Sequence, residues 1–181
     1  NDVGLVARTA RDDGKDGLSQ IRIRIGRPIR AMWAQAGTAK DALESWEAVA
    51  VETKFDGVRI QVHYDGETVR LFSRNLEEVT NSLPEIAESV ENTLDVPAIL
   101  DGEVVAVEPD GTPLPFQEVL RRFRRKHDIA AARETTAVEL YAFDCLHVGG
   151  EDLLDTPLEH RHDRLRQLLP KSTAKLTVST D

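Results

Sequence analysis

Glu52-Thr53-Lys54-Phe55-Asp56-Gly57-Val58-Arg59 is the stretch whose residue types could do chemistry together. A lysine amine attacks an electrophile only after losing its proton, and neighbouring cations promote that loss. Arg59 supplies a cation five residues on, and Glu52 a carboxylate two residues back. Ala48-Val49-Ala50-Val51 reads as a short β-branched strand. Val58, Ile60, Val62 and Tyr64 alternate with Arg59, Gln61 and His63, which predicts a half-buried strand. Asp56-Gly57 reads as a tight turn between the two. Lys54 is therefore expected where a strand ends, with Glu52 on its face, since strand side chains repeat every second residue. An isolated Lys-x-Asp-Gly would be no more than the end of an exposed strand, so the weight rests on its company.

That company is polar residues in apolar surroundings. Ala98-Ile99-Leu100-Asp101-Gly102-Glu103-Val104-Val105-Ala106-Val107 is a strand with two acids in its middle. Burying an unpaired carboxylate is costly, so Asp101 and Glu103, on one face, point to a hydroxyl or a metal ion. Arg74 follows the strand Thr68 to Ser73, which returns from an Asp65-Gly66 hairpin turn. Arg121, Arg122, Arg124, Arg125 and Lys126 form the one dense basic cluster and are expected to meet a DNA backbone. Phe143 sits in the strand Thr136 to Leu146. His160, His162 and Asp163 are not a metal set, because helical residues two apart do not face each other.

Positioning these groups takes one domain, and 181 residues suffice for its core. No apolar run is long enough to span a bilayer. The single cysteine, Cys145, excludes an internal disulfide and reads as packing. The charge is −9, with 32 acidic residues against 23 basic ones, of which 17 are arginine. Few lysines on an acidic surface fit a salt-loving source. Asn1 to Gly17 reads as polar and irregular, Ala39 to Trp46 as two helical turns, and Lys175 to Thr180 as the start of a strand. Ser82-Leu83-Pro84-Glu85 and Thr156-Pro157-Leu158-Glu159 read as capping boxes opening amphipathic helices. Short alternating strands with hairpin turns and two such helices predict an α+β fold, two mainly antiparallel sheets flanked by helices.

Lys54-Phe55-Asp56-Gly57-Val58-Arg59 resembles the nucleotidyl-transfer signature of ATP-dependent DNA ligases, shared with capping guanylyltransferases and RNA ligases. Further segments resemble the archaeal and eukaryotic DNA ligases. They are Gly26 to Ala34 (with Ala31 and Trp33 as departures), Leu100-Asp101-Gly102-Glu103, Pro115-Phe116-Gln117 before the basic run, and Leu140-Tyr141-Ala142-Phe143-Asp144 followed by Pro157-Leu158 and Arg161. The resemblance implies residues 1–20 as a linker or the tail of an upstream helical DNA-binding domain. It implies 21–181 as a partial adenylation domain, without its last strands and without the OB-fold domain.

It further implies that Lys54 forms a phosphoramidate with AMP from ATP, helped by Mg²⁺. Glu52 would select adenine, Arg59 and Arg74 would hold ribose and phosphate, Glu103 the ribose hydroxyl or the metal, and Phe143 would stack on the base. The implied partner is nicked duplex DNA, in replication, repair and recombination. A sliding clamp reached through the parent protein, a cytoplasmic monomer and no membrane complete the expectation. An RNA-directed nucleotidyltransferase and a nucleotide- or DNA-binding piece without turnover are the alternatives.

Overall fold

The computed structural model describes residues 2–32, 34–124, 133, 135–169 and 176–178. Six strands form one sheet among the described residues, so the mixed helix and antiparallel class is as expected, with one sheet described where two are expected. These are β1 (Val58–Tyr64), β2 (Val69–Ser73), β3 (Ala98–Val107), β4 (Ala137–Val148), β5 (Glu151–Asp152) and β6 (Leu176–Val178). The order is β2-β1-β3-β4-β5, antiparallel throughout, with β6 parallel to β4. The hairpin between β1 and β2 forms as expected. Asp65 Oδ1 accepts from the Glu67 and Thr68 N–H groups, and Gly66 takes a φ of 102° that a side chain would disfavour.

One sheet face is apolar. Ile60, Val62, Leu71, Leu100, Val104, Leu140 and Ala142 are buried there. Helices α3 (Pro84–Glu91), α4 (Phe116–Arg124) and α5 (Leu158–Leu168) cover it with Ile86, Val90, Val119 and Leu165. Each such side chain contributes roughly 1.5–3 kcal/mol by leaving water. Cys145 belongs to this core, where burial pushes its thiol up to about 12.

Several local expectations need correction. Residues 3–19 are helix α1 (Val3–Ser19), capped by Asp2 Oδ1, and the irregularity read there is one break at Gly14, whose φ is 61°. Ala48 to Val51 is not a strand, and Val51 is 74% exposed. A strand needs a partner for its backbone groups, and both sides of β1 are already taken by β2 and β3. Neither expected capping box forms. A box does form at α2 (Ala39–Ser45), where Thr38 and Asp41 cap each other.

A candidate nucleotidyl-transfer site on the polar sheet face

The opposite sheet face carries the polar candidate residues. Strand register places Arg59 beside Glu103 and Gln61 beside Asp101, and Glu103 beside Tyr141 on its other side. Two β-bulges between β3 and β4 set this face. One lies between Asp101 and Gly102, where Ala142 and Asp144 are paired and Phe143 is the extra residue. Bulges re-aim side chains in this way. Gly102 makes the close approach possible, because a Cβ there would stand 2.7 Å from the Tyr141 carbonyl.

Arg59 is the centre. Its Nε and Nη2 donate to Asp101 Oδ1 at 3.0 Å and Oδ2 at 2.7 Å. Burial pushes the Asp101 carboxyl up, and the hydrogen bonds and charge of Arg59 pull it back down. The Arg59 guanidinium also lies 5.3 Å from the Phe143 ring centroid, within cation–π range. Burial raises Glu103 too, while the Gly57 N–H and the charges of Arg59 and Lys54 work the other way. Glu103 is therefore a half-buried carboxylate near two cations.

Lys54 is exposed, in an extended segment leading into β1. It is not held between two strands. Its neighbour Phe55 stacks on Tyr141 with centroids 4.1 Å apart. Gly57 then lies on β3, where a Cβ would stand 2.3 Å from the Val104 carbonyl and 2.9 Å from Glu103 Cγ. A ring on one side and a residue without a side chain on the other thus fix the approach of Lys54. Glu52 meets His162 of α5 at 3.5 Å instead of sharing a strand face with Lys54. Arg74 is exposed just past β2 and lines a shallow depression with Arg59, Asp101, Ser73 and Ile29.

The structure thus brings together Lys54, Arg59, Glu103 and Phe143, with Arg74 at the edge and Glu52 beside α5. It does not bring Arg122 to any DNA-facing surface. Arg122 is 2% exposed, its Nη2 donating to both Glu85 oxygens at 2.8 and 2.9 Å and its Nη1 to the Ser82 carbonyl at 2.7 Å. Three residues after buried Val119, it shares the inward face of α4. Arg121 is exposed and pairs with Glu118. The Arg124 side chain, Arg125 and Lys126 lie outside the described residues. The sequence reading missed Asp101 as the holder of Arg59, and Tyr141 as the platform for Phe55. The signal for both was position, since Tyr141 stands across from Glu103 and Asp101 lies diagonal to Arg59 once β1, β3 and β4 are aligned.

A family model for the ATP dependent DNA ligase domain matches residues 31–181. The chain belongs to that family. Natronomonas pharaonis DNA ligase is 68% identical over 181 residues, all of this chain and 33% of its own length. Haloarcula marismortui DNA ligase is 68% identical over 170 residues, 94% of this chain and 31% of its own. Thermococcus fumicolans DNA ligase is 49% identical, over 95% of this chain and 31% of its own. The chain thus spans about a third of the length of the curated relatives it matches. Among solved structures, a mycobacterial DNA ligase D complexed with ATP and MES superposes with a TM-score of 0.58 at 32% identity, covering 71% of this chain and 38% of that one. The ligase domain from M. tuberculosis LigD gives 0.57 at 34%, covering 70% and 38%. These relatives are DNA ligases, not capping enzymes or RNA ligases, and several come from halophiles.

Proposed function

We propose that the protein of which this chain is part seals nicks in duplex DNA through a lysine–AMP intermediate, using ATP. The observation that carries this is the single polar face on which Lys54, Arg59, Glu103 and Phe143 converge in a chain of this family. Residues 21–181 would then be the first part of an adenylation domain, and residues 1–20 the linker or helical tail before it.

In this reading the neutral Lys54 amine attacks the α-phosphorus of ATP, a Lys54–phosphorus bond forms, and pyrophosphate leaves. AMP passes to the 5′-phosphate at the nick. The 3′-hydroxyl then attacks that phosphate and AMP departs. Arg59, held by Asp101, meets the charge that builds on the transferring phosphoryl group. Arg74 reaches ribose or phosphate from the edge. Phe143 offers its ring to the base once the nucleotide displaces the Arg59 guanidinium from it. Glu52 accepts from the adenine amino group.

The donor set suits Mg²⁺, a hard cation that takes one or two carboxylates and fills its shell with phosphate oxygens and water. Glu103 is the carboxylate for it, since Asp101 is occupied by Arg59. Bound there, Mg²⁺ would supply charge neutralisation at the phosphates. A sliding clamp, monomeric state and cytoplasmic location belong to the same proposal. So do roles in replication, repair and recombination, and the need for high salt that the −9 charge suggests. No described helix is long and apolar enough to cross a membrane.

The test is strand joining by the full-length protein on nicked DNA and on nicked RNA, with ATP or GTP, in several salt concentrations. Joining of DNA with ATP is the expected result. Joining of RNA alone, or equal use of GTP, would overturn the reading.

A further inference from the structure

One segment crosses the polar sheet face beside the site. The Ile23 N–H donates to Asp152 of β5 at 3.3 Å. The Gly26 N–H donates to His63 Nδ1 of β1 at 3.0 Å. Ile29 both donates to Gln61 Oε1 at 2.9 Å and accepts from Gln61 Nε2 at 3.4 Å. Ile29 and Ala31 then line the depression that holds Arg59 and Arg74. Gln61 and His63, nearly fully buried, are the clasps of this strap. Its isoleucines, Ile21, Ile23 and Ile25, are half-buried, while Arg22, Arg24, Arg27 and Arg30 are exposed.

The charge of the strap stands out from the rest of the chain. Between Asp16 and Asp41 there is no acidic residue, and residues 17–40 hold those four arginines and Lys40. The segment is +5 in a chain of −9, so the remainder is −14. Elsewhere Arg121, Arg122, Arg133, Arg161 and Arg164 each meet a carboxylate. On the strap only Arg27 does, with Asp2, and Arg24 and Arg30 meet none among the described residues. Arg70 of β2 adds a further cation, its Nη1 lying 3.2 Å from where a Cβ on Gly26 would be.

We propose that Arg24, Arg27 and Arg30, with Arg70, form a track for the phosphate backbone of the duplex DNA substrate, leading to the depression at Arg59. The inference rests on the ligase reading above and adds a DNA contact on the strap to the one expected of the basic run that begins in α4. A strongly acidic chain repels DNA, so a basic segment without acids of its own, beside the reacting groups, is where the duplex can approach. All four strap cations are arginine, whose planar, weakly hydrated fork grips phosphate with two hydrogen bonds. That grip depends on geometry as well as charge, which suits binding in salt.

The experiment uses the full-length protein and a fluorescently labelled nicked duplex, with binding titrated across a range of salt. Arg24→Gln with Arg30→Gln should weaken binding roughly tenfold and lower the slope of log affinity against log salt by about 2, since each lost phosphate contact removes about 0.9. Arg24→Lys with Arg30→Lys should keep most of the slope, and Arg121→Gln should change it least. Both strap residues are exposed, so the unfolding midpoint should not move. Unchanged affinity and slope in the Gln variant would overturn the proposal. So would an equal loss in Arg121→Gln. Failure of the ligase reading shows separately, as no covalent AMP adduct on the unaltered protein.

Discussion

Two arginine–carboxylate pairs in this chain have similar bond lengths and different settings. Arg122 and Glu85 meet with side chains 1% and 4% exposed, under the sheet between α3 and α4. Arg59 and Asp101 meet on the other face with 34% and 6%. In the first pair both partners are closed in, and a protein carbonyl takes a further N–H. In the second the carboxylate is buried but the guanidinium reaches a depression and an aromatic ring. The same bond fixes two helices in one place and aims a cation in the other. Which role a pair has follows from which partner retains solvent.

The largest effect should come from breaking the closed pair. Glu85→Ala leaves a buried guanidinium without its anion, which costs about 3–5 kcal/mol. For a domain of this size that lowers Tm by about 10 °C, measured by scanning calorimetry. Glu85→Met with Arg122→Met should recover most of the loss, because a buried pair is often replaceable by apolar residues. A double variant as unstable as Glu85→Ala would mean the pair itself, and not the orphaned charge, holds α3 to α4.

Next is the clasp at His63. Burial lowers its imidazole to about 4, against 6.5 in an unfolded chain. The neutral ring is the form that accepts from the Gly26 N–H. Its contribution is therefore complete above pH 6.5 and is lost as pH falls through the interval to about 4. The span amounts to about 3 kcal/mol. Urea midpoints of the unaltered protein and His63→Gln, taken at pH 7 and pH 4.5, should converge at the lower pH. Parallel acid losses in both would remove His63 from the account.

Asp101→Asn should be milder on stability, roughly 1–2 kcal/mol, because Arg59 can turn to water. Its effect should fall on chemistry, with formation of the AMP adduct slowed about tenfold or more and nucleotide binding changed less. An Asp101→Asn protein with full adduct rate and a large stability loss would make the open pair a second copy of the closed one.

Much of this was legible in the sequence, and for identifiable reasons. β1, β3 and β4 are long, with alternation or an apolar run, so the strands and the shared face of Asp101 and Glu103 followed from period two, whereas Phe143, the extra residue of a bulge, came only from the family resemblance. The hairpin at Asp65-Gly66 was readable because local side-chain bonds decide it. Arg122 was not, because a basic run gives no sign of which member turns inward; that depends on the register of α4 against Val119 and on a carboxylate 37 residues away. The Ser82–Glu85 box failed for the same reason, since Glu85 is engaged by Arg122. Ala48 to Val51 has strand composition, but both sides of β1, the strand it leads to, are taken. Residues 26–34 were read only through the family resemblance, since the strap's hold on Gln61 and His63 is a tertiary matter.

The central claim is that Lys54 is the nucleophile, and one measurement addresses it directly. The full-length protein is incubated with ATP and Mg²⁺ without DNA, digested, and its peptides mapped by mass spectrometry, alongside Lys54→Arg. The account predicts a single AMP moiety on the peptide bearing Lys54 and none on any peptide of Lys54→Arg, because arginine keeps its proton and cannot attack. An AMP moiety on a different residue, or an adduct formed by Lys54→Arg, would contradict it.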